Sequence, residues 1–427
     1  MGASGSPSSV AHAVARVVGP DLPVAVEAYD GSRLGPPDAP ATLILRSPDA
    51  LRRILTAPGE LGIGRAYVAG DLDVQGDIYG ALSALRDRLP EVRIGPAQLI
   101  EIARLVGTEG LRPLRPPPEE ARLRGRRHSR RRDAQAIAHH YDVSNRFYEL
   151  VLGPSMTYSC AVWETPEGTL EDAQSAKYEL ICRKLGLRPG MRLLDVGCGW
   201  GGMAMHAAHH EVAVVGVTLS RRQVGWAQKA VADAGVADRV EIRLQDYRDV
   251  RDGPFDAISS IGMFEHVGLR NLSLYFRRLH GLLRPQGRLL NHGISRPARR
   301  SARLGGRVPS TPSRLRRRSF VDRYVFPDGE LHEVGAVVST MQSAGFEVRH
   351  LESLREHYAL TLRRWVANLE ANWEEASQEA GEARARIWHL YMAASALNFE
   401  AGRTQVHQIL AVKADGGRSG LPLRPAF

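Results

Sequence analysis

From Met191 to Ile294 the chain repeats one pattern: short apolar, β-branched runs separated by helix-length amphipathic stretches. The runs are MRLLDVGCG (191–199), VAVVGVTLS (212–220), VEIRLQDY (240–247), FDAISSIG (255–262) and GRLLNHGI (287–294). Near-continuous apolar runs of this length suit strands covered on both faces. Strands that alternate with helices fold as a doubly wound, mostly parallel sheet, so the fold class is α/β and Rossmann-like. Further on, residues 331–344 read as a helix, GFEVRHLESL as a strand, 358–400 as two helices and TQVHQILAVK as a final strand.

A chain of 427 residues exceeds one domain. Residues 1–110, with the apolar runs Val24–Val26 and Leu43–Leu45, read as a smaller α+β accessory domain that engages lipid or substrate. An Arg/Pro-rich linker follows at 111–135, then a catalytic domain at 136–415 and a tail at 416–427. The net charge of +10 is concentrated: residues 112–132 hold nine Arg against two Glu, and residues 296–318 hold nine Arg and no acid. Such stretches are either solvated loops or contacts for anionic lipid or nucleic acid, and charge alone does not choose. No apolar run reaches the roughly 18 residues that span a bilayer. The N-terminus, MGASGSPSSVAHAVARVVG, reads as a flexible start without the basic and apolar regions of a secretory leader. Cys160, Cys182 and Cys198 show no CxxC or Cys/His spacing suited to zinc, so a reducing cytoplasm and no metal are expected.

The first strand of the repeat runs into DVGCGWGG (195–202), with a helix from about Met203. Glycines at such a junction let backbone approach a ligand, and the helix N-terminus favours a carboxylate or phosphate. The GxGxGG spacing of Gly197, Gly199 and Gly201 differs from the GxGxxG of dinucleotide folds. It resembles the nucleoside loop of S-adenosylmethionine-dependent methyltransferases. The second strand ends in Thr218 and Leu219 with Gln223 one turn on, and the third in Gln245 and Asp246. Singly these are ordinary strand-end polar residues, but three consecutive strand ends on one sheet edge point to a ligand.

Longer motifs make the resemblance specific: AIAHHYDVSNRFYELVLGPSMTYSCAVW, GVTLSRRQ, LQDYRD, GMFEHVG (262–268), LLNHGI (289–294), YVFPDGEL (324–331) and HYALTLRRW (357–365). Together they resemble the cyclopropane-fatty-acyl-phospholipid synthases, within the broader family of mycolic-acid cyclopropane synthases. The resemblance implies methyl transfer from S-adenosylmethionine to a cis double bond of an unsaturated phospholipid acyl chain in a bilayer, then ring closure with loss of a proton. It implies a bicarbonate ion as the base, held by Cys160, Glu265, His292, the backbone of Ile294, and Tyr358, with Tyr158 and Ser159 touching the cofactor. A cytoplasmic enzyme associated peripherally with an anionic membrane surface follows, with no nucleic acid; a homodimer is open.

The residues themselves suit that chemistry. An alkene is a weak nucleophile, so the sulfonium must be held close, and the resulting cation needs a dry site and a nearby base. A carboxylate such as Glu265 after an apolar strand is costly to bury without a purpose. Taken alone, His292 reads equally as a core histidine, Tyr358 as a helical aromatic and Cys160 as a small hydrophobe. Two departures from the family pattern stand out: Ser395 where many relatives have Cys, and Asn291 before His292, which is expected to alter that histidine's hydrogen bonding. Rival readings are a lipid C-methyltransferase giving a methylene or methyl branch, a small-molecule N-methyltransferase, and a non-catalytic lipid or nucleic-acid binder.

Overall fold

The computed structural model describes residues 9–18, 23–88, 112–123, 125–141, 143–298 and 319–427. The chain divides into two compact units, one of Met1–Ala121, Pro309–Val325 and Gly381–Leu397, the other of Arg122–Val308, Phe326–Ala380 and Asn398–Phe427. Two late segments thus return to the first unit, which composition does not reveal. Their ties are long-range: within that unit the Phe320 N–H donates to Glu60 at 3.1 Å, the Tyr67 hydroxyl lies 2.7 Å from His389 Nδ1, and Arg386 lies 3.2 Å from Asp73.

The first unit is α+β. Its sheet runs β2-β1-β3-β4, with β1 at Ala25–Ala28, β2 at Arg33–Leu34, β3 at Ala41–Leu45 and β4 at Leu72–Gly76. Burial alternates along β3, so Ala41, Leu43 and Leu45 face a core shared with Val24, Val26 and Ala28. Of the N-terminal stretch expected to be flexible, Val10–Val18 is a helix, and residues 1–8 and 19 lie outside the described ones. Val10 and Ala11 are buried in that core, and their N–H groups donate to Asp30 Oδ2 at 2.9 Å and Ser32 Oγ at 3.0 Å, which caps the helix.

The second unit holds the doubly wound sheet. Its strands are β5 (Arg192–Val196), β6 (Ala213–Thr218), β7 (Val240–Leu244), β8 (Phe255–Ile261), β9 (Leu283–Arg296), β10 (His332–Glu333), β11 (Glu347–Ser353) and β12 (Gln405–Val412). They lie in the order β11-β12-β9-β8-β5-β6-β7, with β10 also on β9. β9, β8, β5, β6 and β7 pair in parallel, while β12 joins β9 and β11 antiparallel. One face is covered by helices Leu170–Leu185, Gly202–His209 and Arg221–Asp233, through residues such as Ile181, Ala204 and Ala227. The other is covered by helices Leu269–Leu282 and Val334–Ser343, through Leu272, Phe276 and Met341. Helices on both faces explain why the strands read as continuous apolar runs. Residues 355–400 form three helices rather than two, breaking at Asn372 and at Gly381, whose φ is +85°.

Much of the Arg-rich stretch before this sheet is not a solvated linker. The helix Arg130–Tyr141 begins inside it. Asp328, 8% exposed, accepts from Arg127 Nε and Arg132 Nη2, both at 2.9 Å, and Arg130 is bidentate on Asp249 at 2.8 and 3.0 Å. Asp328 is buried, so removing its charge strands the arginines paired with it, whereas the exposed Arg130–Asp249 pair contributes little. Replacement Asp328→Asn should therefore destabilise the protein by about 2–4 kcal/mol and speed tryptic cleavage after Arg126, Arg127 and Arg131, as read by thermal melting and timed proteolysis.

Candidate active site

At the carboxyl edge of β5, β6, β7 and β8 lies a cavity of about 1200 Å3, counting its open mouth. Strand order reverses at β5, since β6 leads away on one side and β8 on the other, and such a switch point leaves a crevice. The turn after β5 is pinned down by the N–H groups of Gly197 and Cys198, which both donate to Val217 O at 2.9 and 3.1 Å. Gly197, Gly199 and Gly201 all take left-handed φ, at +76°, +56° and +88°. A Cβ at Gly199 would meet nothing within 4 Å and project into space, whereas one at Gly201 would meet Ala227 Cβ at 3.3 Å. Gly201 therefore packs one helix on another and does not line the cavity, unlike the role expected from the motif.

Tyr158, Ser159, Gly197, Gly199, Thr218, Leu219, Gln223 and Gln245 come together on the cavity wall. Thr218 Oγ1 donates to Gln223 Oε1 at 2.8 Å, and the Gln223 N–H donates to Ser220 Oγ at 3.2 Å, so strand end and helix start are locked together. Asp246 does not line the cavity. Its carboxylate instead accepts from Arg248 Nε at 2.8 Å and Nη2 at 2.6 Å, and Tyr247 and Arg248 stand at the wall in its place. The side chain was expected to point outward to ligand, but a bidentate arginine two residues on offers a stronger partner.

Three groups of residues were not singled out from sequence. Lys177 reaches the wall from the helix Leu170–Leu185, fully buried, with Nζ 3.1 Å from Ser159 Oγ. Burial lowers its pKa to about 7 against the opposing pull of Asp195 and Cys160. Asp195 is the penultimate residue of β5; burial raises its pKa to about 6, offset by Ser259 Oγ, which donates to Oδ1 at 2.7 Å. Around Tyr158 stand Tyr141, Tyr148 and Trp365, with ring centroids 6.0, 6.1 and 5.4 Å away, and Trp200 packs 4.7 Å from Tyr148. The signals were present, a lysine inside an apolar helix pattern and the Trp of GCGWGG, yet both read as ordinary helix and loop residues until the sheet brings them together.

The five residues expected to hold an ion lie beside this cavity rather than on its wall. Glu265 is buried in the short helix Phe264–Val267 between Met263 and His266, which do line it. Its Oε1 accepts the Ile294 N–H at 2.5 Å, which ties two of these five residues to each other. Burial pushes the Glu265 carboxyl up to about 7, partly offset by this hydrogen bond. Among the described residues Glu265 Oε2 and His292 Nε2 are buried without a partner. Lys184 Nζ donates to Gln408 Oε1 at 2.8 Å, which turns the Gln408 amide nitrogen toward His292 Nδ1 at 3.2 Å. His292 therefore carries its proton on Nε2, as an unused donor. Burial, with the charges of Lys177 and Lys184, lowers its pKa to about 3, so the ring is neutral. The Cys160 thiol donates to Ala161 O and, at 3.6 Å, to Leu354 O, the same carbonyl that accepts the Tyr358 N–H. Asn291 points away from His292, and its Oδ1 accepts from Ser260 at 3.5 Å, so the expected effect on the histidine's hydrogen bonding is absent.

A reversed parallel sheet with a glycine turn at the switch point and a polar, aromatic cavity beyond it defines an S-adenosylmethionine-dependent methyltransferase. The family model for mycolic acid cyclopropane synthetase matches residues 128–409, and the chain belongs to that family. It is 50% identical over 414 residues to a probable fatty acid methyltransferase of Mycobacterium tuberculosis, covering 94% of each chain. It is 32% identical over 382 residues to the cyclopropane-fatty-acyl-phospholipid synthase of Escherichia coli, covering 87% of this chain and 88% of that one. Among solved structures, a cyclopropane synthase from Mycobacterium tuberculosis aligns with a TM-score of 0.60 at 36% identity, over 67% of this chain and 99% of that one. A mycolic acid cyclopropane synthase complexed with SAH and CTAB aligns at 0.61 and 37% identity, over 66% of this chain and 98% of that one.

The two glycines of the turn separate ligand contact from packing. Gly199→Ala places a methyl in open cavity at a left-handed φ costing about 1–2 kcal/mol, so S-adenosylmethionine affinity should fall more than stability. Gly201→Ala adds contact with Ala227 to a similar strain, so its melting temperature should fall further while affinity falls less. Calorimetric titration and thermal melting of both variants decide the comparison.

Proposed function

We propose that this chain transfers a one-carbon unit from S-adenosylmethionine to a cis double bond of an unsaturated phospholipid acyl chain and closes it to a cyclopropane. The observation that carries the reading is the pair of unpartnered buried atoms, Glu265 Oε2 and His292 Nε2, beside an aromatic cavity. One is an acceptor and the other a neutral donor, which suits a small ion bearing both kinds of atom, such as bicarbonate.

S-adenosylmethionine, when bound, supplies an electrophilic methyl group. The aromatic faces of Tyr158 and Trp200 suit its sulfonium, while the Gly197–Gly199 backbone, Thr218 and Gln223 orient the remainder. The acceptor's π pair forms the new carbon–carbon bond as the methyl–sulfur pair leaves with sulfur. A cation remains on the neighbouring carbon, and loss of a proton from the transferred methyl lets its C–H pair close the ring. The lipid gains CH2 and one proton is released. Glu265 and His292 would hold bicarbonate, which supplies a weak base, and the buried aromatic surroundings exclude water that would quench the cation.

A second reading, a methyl branch in place of the ring, is favoured by the names of relatives at 50% and 41% identity, both probable fatty acid methyltransferases. Expression in a host without cyclopropane lipids, followed by NMR of the fatty acids, separates them. Cyclopropane ring protons support the proposal; exomethylene or branched methyl signals alone would overturn it in favour of the second reading.

To hold such an ion by accepting a hydrogen bond from its hydroxyl, Glu265 would act best as the ionised carboxylate. Since its pKa is raised to about 7, that form gains as pH rises through this value. Turnover at saturating cofactor should therefore climb with pH around 7, and Glu265→Gln should lose that limb and about 10²-fold in kcat with cofactor affinity retained.

Contact with anionic bilayers is part of the same proposal. Arg122, Arg126 and Arg131 are exposed, while Arg127, Arg130 and Arg132 are engaged with Asp328 and Asp249; residues 299–318 lie outside the described ones. The combined change of Arg122, Arg126 and Arg131 to Gln should weaken binding to phosphatidylglycerol-containing vesicles, as should added salt, because such attraction fades over about 8–10 Å. Equal binding to neutral and anionic vesicles in flotation assays would count against it.

A further inference from the structure

The helices Leu170–Leu185 and Gly202–His209 lie side by side on one face of the sheet, and each contributes to the cavity wall: Lys177 and Tyr178 from one, Gly202 and Met203 from the other. Beyond those residues the same two helices bring together a second set of side chains that the methyl-transfer site does not use. Cys182 Sγ and one ring nitrogen each of His206 and His210 all lie within 4.8 Å of one another. Glu179 Oε2 lies 3.3 Å from His206 Nε2 and 3.0 Å from His210 Nε2. His206 lies on its helix and His210 caps the end of it one turn on, while Glu179 and Cys182, three apart, share one face of theirs.

We propose that Cys182, His206 and His210, with Glu179 as the fourth ligand, form a tetrahedral zinc site that ties these two helices together. A tetrahedral ion with Zn–S of about 2.3 Å and Zn–N of about 2.0–2.1 Å sets its ligand atoms about 3.3–3.6 Å apart, a spacing that modest side-chain rotation gives Cys182, His206 and His210, with Glu179 meeting the ion from its place beside both imidazoles. One thiolate, two imidazoles and a carboxylate suit zinc, whereas calcium and magnesium favour oxygen alone. Thiolate and carboxylate together cancel the charge of the ion, which fits a site where Cys182 is 2% exposed and its partners are half-buried. An ion pair between Glu179 and the two histidines accounts for three of the four groups, and the Cys182 thiol reaches them from the edge of the apolar core.

Zinc binding forms the Zn–S bond and breaks the S–H bond, releasing one proton to solvent, with no change in oxidation state. Ligands 24 positions apart in sequence explain why cysteine spacing did not reveal them.

The test uses the full chain, freed of metal by a chelator, kept reduced and titrated with Co2+ and then Zn2+. The expected result is one equivalent of Co2+ with a thiolate-to-metal charge-transfer band and strong tetrahedral d–d bands, bleached by Zn2+, and a higher melting temperature with Zn2+. His210→Asn and His206→Gln should each weaken affinity by about 10–100-fold, and Cys182→Ala should abolish the charge-transfer band. His210→Asn should leave S-adenosylmethionine affinity unchanged. Should Cys182→Ala fail to fold, the two histidine variants carry the test. Absence of the charge-transfer band at one equivalent, or a band that both histidine variants leave intact, overturns the proposal.

Discussion

Strand β5 is hydrogen-bonded to β6 on one side and β8 on the other, and the reversal of strand order at that strand is the constraint on which the site depends. It opens the crevice at the carboxyl edge, and the turn that follows is pinned to β6 through Val217 O. With the turn fixed there, the backbone of Gly197 and Gly199 borders the cavity, and Asp195 at the end of β5 faces it. Thr218, Gln223 and Gln245 arrive at the same edge because β6 and β7 are held in parallel register beside it.

Burial then sets the chemistry. Lys177, Asp195, Glu265 and His292 are withdrawn from water with incomplete pairing, and desolvation is the largest influence on each. A lysine near 7, two carboxyls near 6 and 7, and a neutral histidine are groups that take up or release protons around neutral pH, or donate without charge. Lys177 and Asp195 stand on the cavity wall, whereas Glu265 and His292 lie beside it.

Several residues with a family motif's identity do structural work in this chain. Gly201 packs against Ala227, Asp246 holds Arg248, and the Ile294 N–H holds Glu265. The arginines divide similarly: Arg127, Arg130 and Arg132 bind carboxylates of the fold, the first two while still exposed, and Arg122, Arg126 and Arg131 are exposed as well. Net charge of a segment therefore overstates what is available to an outside partner, because a guanidinium already in a bidentate pair is largely neutralised.

The strands from Arg192 to Arg296, the glycine turn and the strand-end residues Thr218, Gln223 and Gln245 were legible in the sequence, since apolar period and turn chemistry are local properties. The motifs around Tyr158, Glu265 and His292 were legible too, as words of a family. Their partners were not. That Gln408 lies opposite His292 follows from the pairing of β12 with β9, and that Lys184 fixes the Gln408 amide follows from helix packing across 224 residues of chain. The return of residues 320–325 and 381–397 to the first unit, and the meeting of Cys182 with His206 and His210, are likewise decided by which faces pack. Sequence by itself determined which segments bury and where the backbone must bend, because those depend on each residue's own chemistry; only tertiary structure decided which buried polar atoms find partners, because that depends on side chains brought together from distant segments.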